Sequence, residues 1–286
     1  MEIKALVSQM TLEEKAGLCS GLDFWHTKSV ERLGVPSVMV SDGPHGLRKQ
    51  DDKGDHLGMN DSIKAVCMPA ASATAASFDR DLIRKMGEAI GDSCQHEKLS
   101  VVLGPAVNIK RSPLCGRNFE YFSEDPLVSG RMAGAITRGV QTIPGKGTTI
   151  KHFACNNQED NRMGVDSVVG ERALREIYLR GFQYAIEETQ PKALMTSYNL
   201  INGVHSANSY DLCTVSARKE WGYEGMIMTD WMTTTDGGSL SYVCMKAGND
   251  MIMPGCAADH ENIRQALNDG KLTMDELKAC VVRIIR

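Results

Sequence analysis

Short apolar runs rich in Val, Ile and Met recur along the chain at 37–41, 100–103, 148–153, 193–198, 225–229 and 250–253, each closed by a polar or glycine-containing turn. Runs that are apolar at successive positions fit strands buried on both faces. Longer segments with helical spacing alternate with them, at 79–98, 126–141, 166–188, 211–221 and 259–268. Thr11-Leu-Glu-Glu14 is a capping box that opens a short helix carrying Leu12, Ala16 and Leu18. Thr273-Met-Asp-Glu276 opens the last helix in the same way, with Leu277, Val281 and Ile284 at helical spacing. This alternation predicts the α/β class with a parallel sheet, and its repetition over 286 residues favours a TIM-like (β/α)8 barrel over an open sheet. Six runs, with a candidate seventh at 65–68, fall short of eight and leave open an incomplete or distorted ring. The final helix meets the end of the sequence without Gly, Pro or a polar tail, which reads as a chain that continues in its natural form.

Composition changes this picture little. With 42% hydrophobic and 24% charged residues the chain suits a single large globular domain spanning 1–286. A net charge of -4 gives no electrostatic reason to expect nucleic acid or an anionic membrane as partner. Nine cysteines, scattered without the close pairs of a zinc site or redox motif, read as free and mostly buried thiols. The N-terminus lacks the apolar run of a secretory signal, and no stretch reaches the roughly 18 apolar residues of a membrane span. A cytoplasmic protein without metal or cofactor is the expectation.

In a barrel of this kind, functional side chains project from the C-terminal ends of the strands. Ser41-Asp42-Gly43-Pro44 follows the first run, Lys151-His152 the third, Ser197-Tyr198-Asn199 the fourth and Asp230-Trp231 the fifth, while Arg117-Asn118-Phe119-Glu120 lies in the loop after the second. Asp, Arg, Lys and His can chelate ring hydroxyls, and Tyr and Trp can cover apolar C–H faces, so the set suits a sugar. Gly145-Lys-Gly147 has neither the length nor the spacing of a phosphate loop. Glu120, Glu124 and Asp125 read as structural, the last two as the start of a helix. The charged run 49–53 reads as a solvated loop, and Cys115 and Cys155 as neutral packing residues.

Four blocks in this order resemble the N-terminal barrel domain of glycoside hydrolase family 3, β-glucosidase type, over essentially the whole chain. They are Ser41-Asp-Gly-Pro-His-Gly-Leu-Arg48, the stretch from Gly104 to Asp125 that contains Gly116-Arg-Asn-Phe-Glu120, Lys151-His-Phe-Ala-Cys-Asn-Asn157, and Thr229-Asp-Trp231. The resemblance implies that Asp230 is the nucleophile of a retaining double displacement. It implies that Asp42, Arg48, Arg117, Lys151 and His152 bind hydroxyls of the sugar, with Met195, Tyr198 and Trp231 shaping the same subsite. Small β-glucosides or oligosaccharides are the implied substrates. A retaining enzyme needs a second carboxyl about 5–5.5 Å from the first. In the resembled members that acid/base comes from a following domain, so here a C-terminal domain or partner subunit is implied and no acid/base residue is assigned. The loop 154–162 resembles the β-glucosidase branch and not the acetylglucosaminidase branch. Met232-Thr-Thr-Thr235 departs from the small residues more usual there. Activity on β-xylosides or α-L-arabinosides, and a catalytically incomplete sugar-binding barrel, are the alternatives.

Overall fold

The computed structural model describes residues 2–50, 62–235 and 237–286. It divides into one unit of Met39–Asp160 with Gly170–Ala193 and another of Met1–Val38, Asn161–Val169 and Leu194–Arg286. In the first unit, β1 (Val40–Asp42), β2 (Val101–Leu103) and β3 (Gly147–Phe153) form a parallel array, with Val40 opposite Val101, Asp42 opposite Leu103 and Val101 opposite Gly147. All seven residues of β3 are buried, Lys151 and His152 included. A strand buried throughout cannot alternate apolar and polar faces, so its polar residues mark places where something other than packing is served.

Helix Arg80–His96 starts where the Asp79 side chain accepts from the amides of Asp81 and Leu82. Helix Pro126–Val140 starts where Asp125 accepts from Leu127, with Pro at the first helical position. The two helices approach through Gly87 and Gly139, where a Cβ would strike the carbonyls of Ile136 and Arg84. Gly130 meets Gly181 of the helix Arg180–Thr189 in the same manner, a Cβ there lying 2.7 Å from the Gly181 carbonyl. Glu188 then ties the three helices together, accepting from Arg131 at 2.9 Å, Arg138 at 2.8 Å and Arg80. Burial alone would raise its carboxyl; the Arg131 hydrogen bond and the neighbouring guanidinium charges outweigh this and hold it below the usual range.

In the second unit, β4 (Asp166–Ser167) runs parallel to β6 (Leu200–Ile201), and β6 turns back on β7 (Val204–His205) through Asn202-Gly203, both at positive φ. β5 (Ala193–Thr196) and β8 (Met226–Met228) are the deeply buried strands. Met251 and Ile252 extend this framework by single parallel bridges to Met228 and Ser20. The fully buried Asp250 anchors it, accepting from Ile227 N–H at 2.9 Å, Arg218 at 2.7 Å and Arg283 at 2.8 Å. Both predicted capping boxes are present, on helices Leu12–Leu18 and Met274–Ile285. Leu18, Ile252, Ile263, Leu277 and Val281 share one core cluster.

Several expected elements differ. Residues 65–68 form no strand; the Met68 amide instead bonds the His45 carbonyl, and this segment is largely exposed. The segment 166–188 is not one helix but β4, a short turn Glu171–Ala173, a π-helical stretch Leu174–Tyr178 and then Arg180–Thr189. Asp211–Glu220 is likewise π-helical, the Trp221 amide reaching Ser216. Of the run 49–53, residues 51–53 lie outside the described residues. Helices Ile3–Ser8, Ala71–Ala76 and Ser241–Ala247 were not expected. Six of the nine free cysteines are buried, as anticipated.

Candidate active site

In the first unit, the ends of β1 and β3 and the loop that follows β2 carry a cluster of charges. Lys151 Nζ lies 3.3 Å from Asp42 Oδ1 and 3.9 Å from Glu120 Oε1. Arg117 is bidentate on Glu120, through Nε at 3.0 Å and Nη2 at 2.8 Å. The parallel fork fixes the guanidinium plane as well as its distance. Glu159 Oε1 lies 3.9 Å from Arg117 Nε, so three carboxylates surround the two cations.

His152 follows Lys151 and is 1% exposed. Its amide donates to Asn108 Oδ1 at 2.8 Å, and Asn108 Nδ2 donates back to the His152 carbonyl at 2.8 Å. The imidazole meets the Tyr121 ring edge-on, with centroids 6.3 Å apart. Arg48 is joined to Asp42 only through the backbone, its amide donating to the Asp42 carbonyl at 2.9 Å. Among the described residues the exposed Arg48 side chain makes no ion pair or hydrogen bond.

Beside this cluster, both ring nitrogens of His45 are buried without a hydrogen-bond partner among the described residues. Burial holds the imidazole below its ordinary value against the upward pull of Glu120, with Lys151 adding to the depression. A neutral ring so placed needs a partner from water or a ligand. Burial also pushes the Cys155 thiol up to about 12, as expected of a packing residue.

The second unit carries the other predicted residues. Asp230, 7% exposed, follows β8, and its Oδ1 accepts from the Trp231 amide at 2.7 Å. Thr233, within the unusual 232–235 stretch, donates from Oγ1 to the Asp230 carbonyl at 2.8 Å. Trp231 donates from Nε1 to the Phe24 carbonyl at 2.9 Å. Phe24, Trp25 and Trp231 form an aromatic group, with Trp25 and Trp231 centroids 5.6 Å apart and Phe24 and Trp25 centroids 4.9 Å apart. Asp23 fixes the turn that presents Trp25, accepting from the Trp25 and His26 amides at 2.8 Å each. The Trp25 Nε1–H is buried and meets no acceptor among the described residues. Tyr198 is covered by the Arg162 guanidinium, 4.8 Å from the ring centroid, and Met195 is buried on β5.

Within the first unit the structure therefore gathers Asp42, Arg117 and Lys151 and fixes His152 beside them, leaving Arg48 at the margin. Within the second it joins Asp230 to Trp231. Glu120, Asn108, His45, Phe24 and Trp25 were not singled out from the sequence as site residues. Only Glu120 carried a signal, an acid three residues after an arginine. Among the described residues no group of three or more His, Cys, Asp or Glu is placed to hold a metal, and no helix is long and apolar enough to cross a membrane.

The sequence matches the glycosyl hydrolase family 3 N-terminal domain over residues 23–286. It is 48% identical over 287 residues to a thermostable beta-glucosidase B of Acetivibrio thermocellus, covering 100% of this chain and 37% of that protein. It is 47% identical over 272 residues to an exo-alpha-(1->6)-L-arabinopyranosidase of Bifidobacterium breve, covering 95% of this chain and 35% of the relative. Among solved structures, beta-glucosidase 3B from Thermotoga neapolitana in complex with alpha-D-glucose aligns with a TM-score of 0.91 and 39% identity, covering 99% of this chain and 42% of that one. The chain thus spans well under half the length of these relatives.

Proposed function

The chain belongs to glycosyl hydrolase family 3, whose N-terminal domain has the TIM-like (β/α)8 barrel class expected from the sequence, and from that premise we propose that it hydrolyses terminal non-reducing β-D-glucosyl residues with retention. Asp230 attacks the anomeric carbon and forms a covalent glycosyl ester as the aglycone oxygen leaves with a proton. Water, relieved of a proton by the same acid/base group, then releases glucose. Asp42, Arg48, Arg117, Lys151 and His152 bind ring hydroxyls, and Met195, Tyr198 and Trp231 shape the subsite. The acid/base carboxyl comes from a C-terminal domain or partner subunit outside these 286 residues. The nine cysteines, which form no disulfide among the described residues, support a cytoplasmic setting.

The observation that carries this reading is the placement of Asp230: a carboxylate at the end of a buried strand, oriented by the next amide and followed by an aromatic ring. The arabinopyranosidase relative at 47% identity favours α-L-arabinosides as the second reading.

The test is trapping with 2,4-dinitrophenyl 2-deoxy-2-fluoro-β-D-glucoside. Its leaving group departs without a general acid, so the chain needs no further domain. Peptide mass spectrometry should find one fluoroglucosyl group, on Asp230. Labelling of another residue, or none under conditions where the arabinosyl analogue labels Asp230, sinks the glucosidase assignment.

A further inference from the structure

We infer that Glu120 is the positioning residue of the sugar site, acting through Arg117 and Lys151 and not by touching the substrate. The inference rests on the sugar-binding reading given above. Glu120 reaches both cations: it takes Arg117 in a two-point fork at 2.8 and 3.0 Å and lies 3.9 Å from Lys151 Nζ. Exposure separates its role from that of Asp42. The Asp42 side chain is 36% exposed and the Glu120 side chain 7%, so Asp42 is the acid a ligand can reach while Glu120 lies beneath.

The geometry also separates Glu120 from a helix-capping carboxylate. Its amide bonds the Arg117 carbonyl at 3.0 Å, so one tight turn carries both the guanidinium and its counter-charge. Lys151 swings on a four-carbon stem that a single partner would hold poorly; Asp42 and Glu120 hold it from two directions. Without the Glu120 charge, Asp42 alone would have to balance Lys151, and its oxygens would be drawn away from sugar hydroxyls. Arg117 would lose the fork that fixes its plane. Removing Glu120 therefore weakens ligand binding through two other residues.

Calorimetric titration of the 286-residue chain with glucose and with 1-deoxynojirimycin tests this, using wild type, Glu120→Gln, Glu120→Asp, Arg117→Lys and the Glu120→Gln/Arg117→Lys double variant. Glu120→Gln should weaken both ligands by about tenfold or more, the scale of one charge-assisted contact. Glu120→Asp, which keeps the charge on a shorter stem, should recover part of that loss. Because part of the effect of Glu120 runs through Arg117, Glu120→Gln should cost less in the Arg117→Lys background than in wild type, the remaining loss being the part that runs through Lys151. A merely structural role predicts that the two single losses multiply, and that outcome overturns the inference, as does Glu120→Gln binding like wild type. If Glu120→Gln does not fold, Glu120→Asp decides: affinity equal to wild type refutes the role and a reduced affinity supports it. Wild-type chain that binds neither ligand overturns the sugar-binding reading and this inference with it.

Discussion

Asn108 closes a two-bond ring on the main chain of His152, accepting the His152 amide at 2.8 Å and donating to the His152 carbonyl at 2.8 Å. Both residues are almost wholly buried. The position of His152 is thus set by its backbone, and its Nδ1 also lies 3.4 Å from the same Asn108 Oδ1. Asn108→Ala removes the Asn108 partner from two buried main-chain groups, and a buried polar group is costly to leave unsatisfied. The variant should be destabilised by about 2–4 kcal/mol in urea unfolding. A change under about 0.5 kcal/mol would show that water takes over both bonds.

The Trp25–Trp231 pair makes a second prediction. The rings lie 5.6 Å apart at 45°, and the Trp25 Nε1–H has no acceptor among the described residues. Such a surface suits the aglycone better if that group is aromatic. Trp25→Ala should weaken binding of phenyl β-D-glucoside by about 5- to 20-fold, equivalent to about 1–2 kcal/mol, and that of methyl β-D-glucoside much less. Equal losses for both ligands would assign Trp25 to the fold alone.

These residues show where the sequence was legible and where it was not. The buried parallel strands, the two capping boxes and the polar residues at strand ends follow from local patterns, and the structure places them as expected. The pairings that tune them are long-range. Asn108 meets His152 across 44 positions and Trp25 approaches Trp231 across 206, so neither spacing nor periodicity reveals them. Glu120 reads from the sequence as structural; its place three residues after an arginine is visible there, but its burial and its two-point contact with Arg117 are not. The π-helical stretch Asp211–Glu220 has the same residue spacing as an α-helix of that length, and nothing in its sequence marks the wider turn.

His260 gives a pH dependence. Its Nε2 lies 2.7 Å from Lys28 Nζ and 2.5 Å from Ser20 Oγ. Lys28 can only donate, so Nε2 accepts and the ring is neutral. Burial lowers the His260 pKa, Lys28 lowers it further, and Asp259 and Glu13 oppose them. With the folded value below the ordinary 6.5, the unfolded chain takes up the proton first as pH falls. This contribution is therefore present above about pH 6.5 and is lost below it. The urea midpoint of wild type should fall from pH 7 to pH 5 by more than that of His260→Gln, which accepts from Lys28 without titrating. Identical pH profiles would remove His260 from the account.

Asp230→Asn separates charge from shape at the proposed nucleophile. The amide oxygen of Asn can still accept from the Trp231 amide, as Oδ1 of Asp230 does at 2.7 Å, and the Thr233 hydroxyl bonds the main chain and not the carboxylate. The local fold should survive, with a melting temperature within a few degrees of wild type. An amide cannot form the glycosyl ester, so hydrolysis of 4-nitrophenyl β-D-glucoside should fall by about 10³-fold or more while glucose binding changes little. Because this leaving group needs no general acid, the measurement is made on the 286-residue chain itself. Turnover that survives the substitution would place the nucleophile elsewhere. Loss of folding would make Asp230 a structural residue, its buried carboxylate serving the fold and not the reaction.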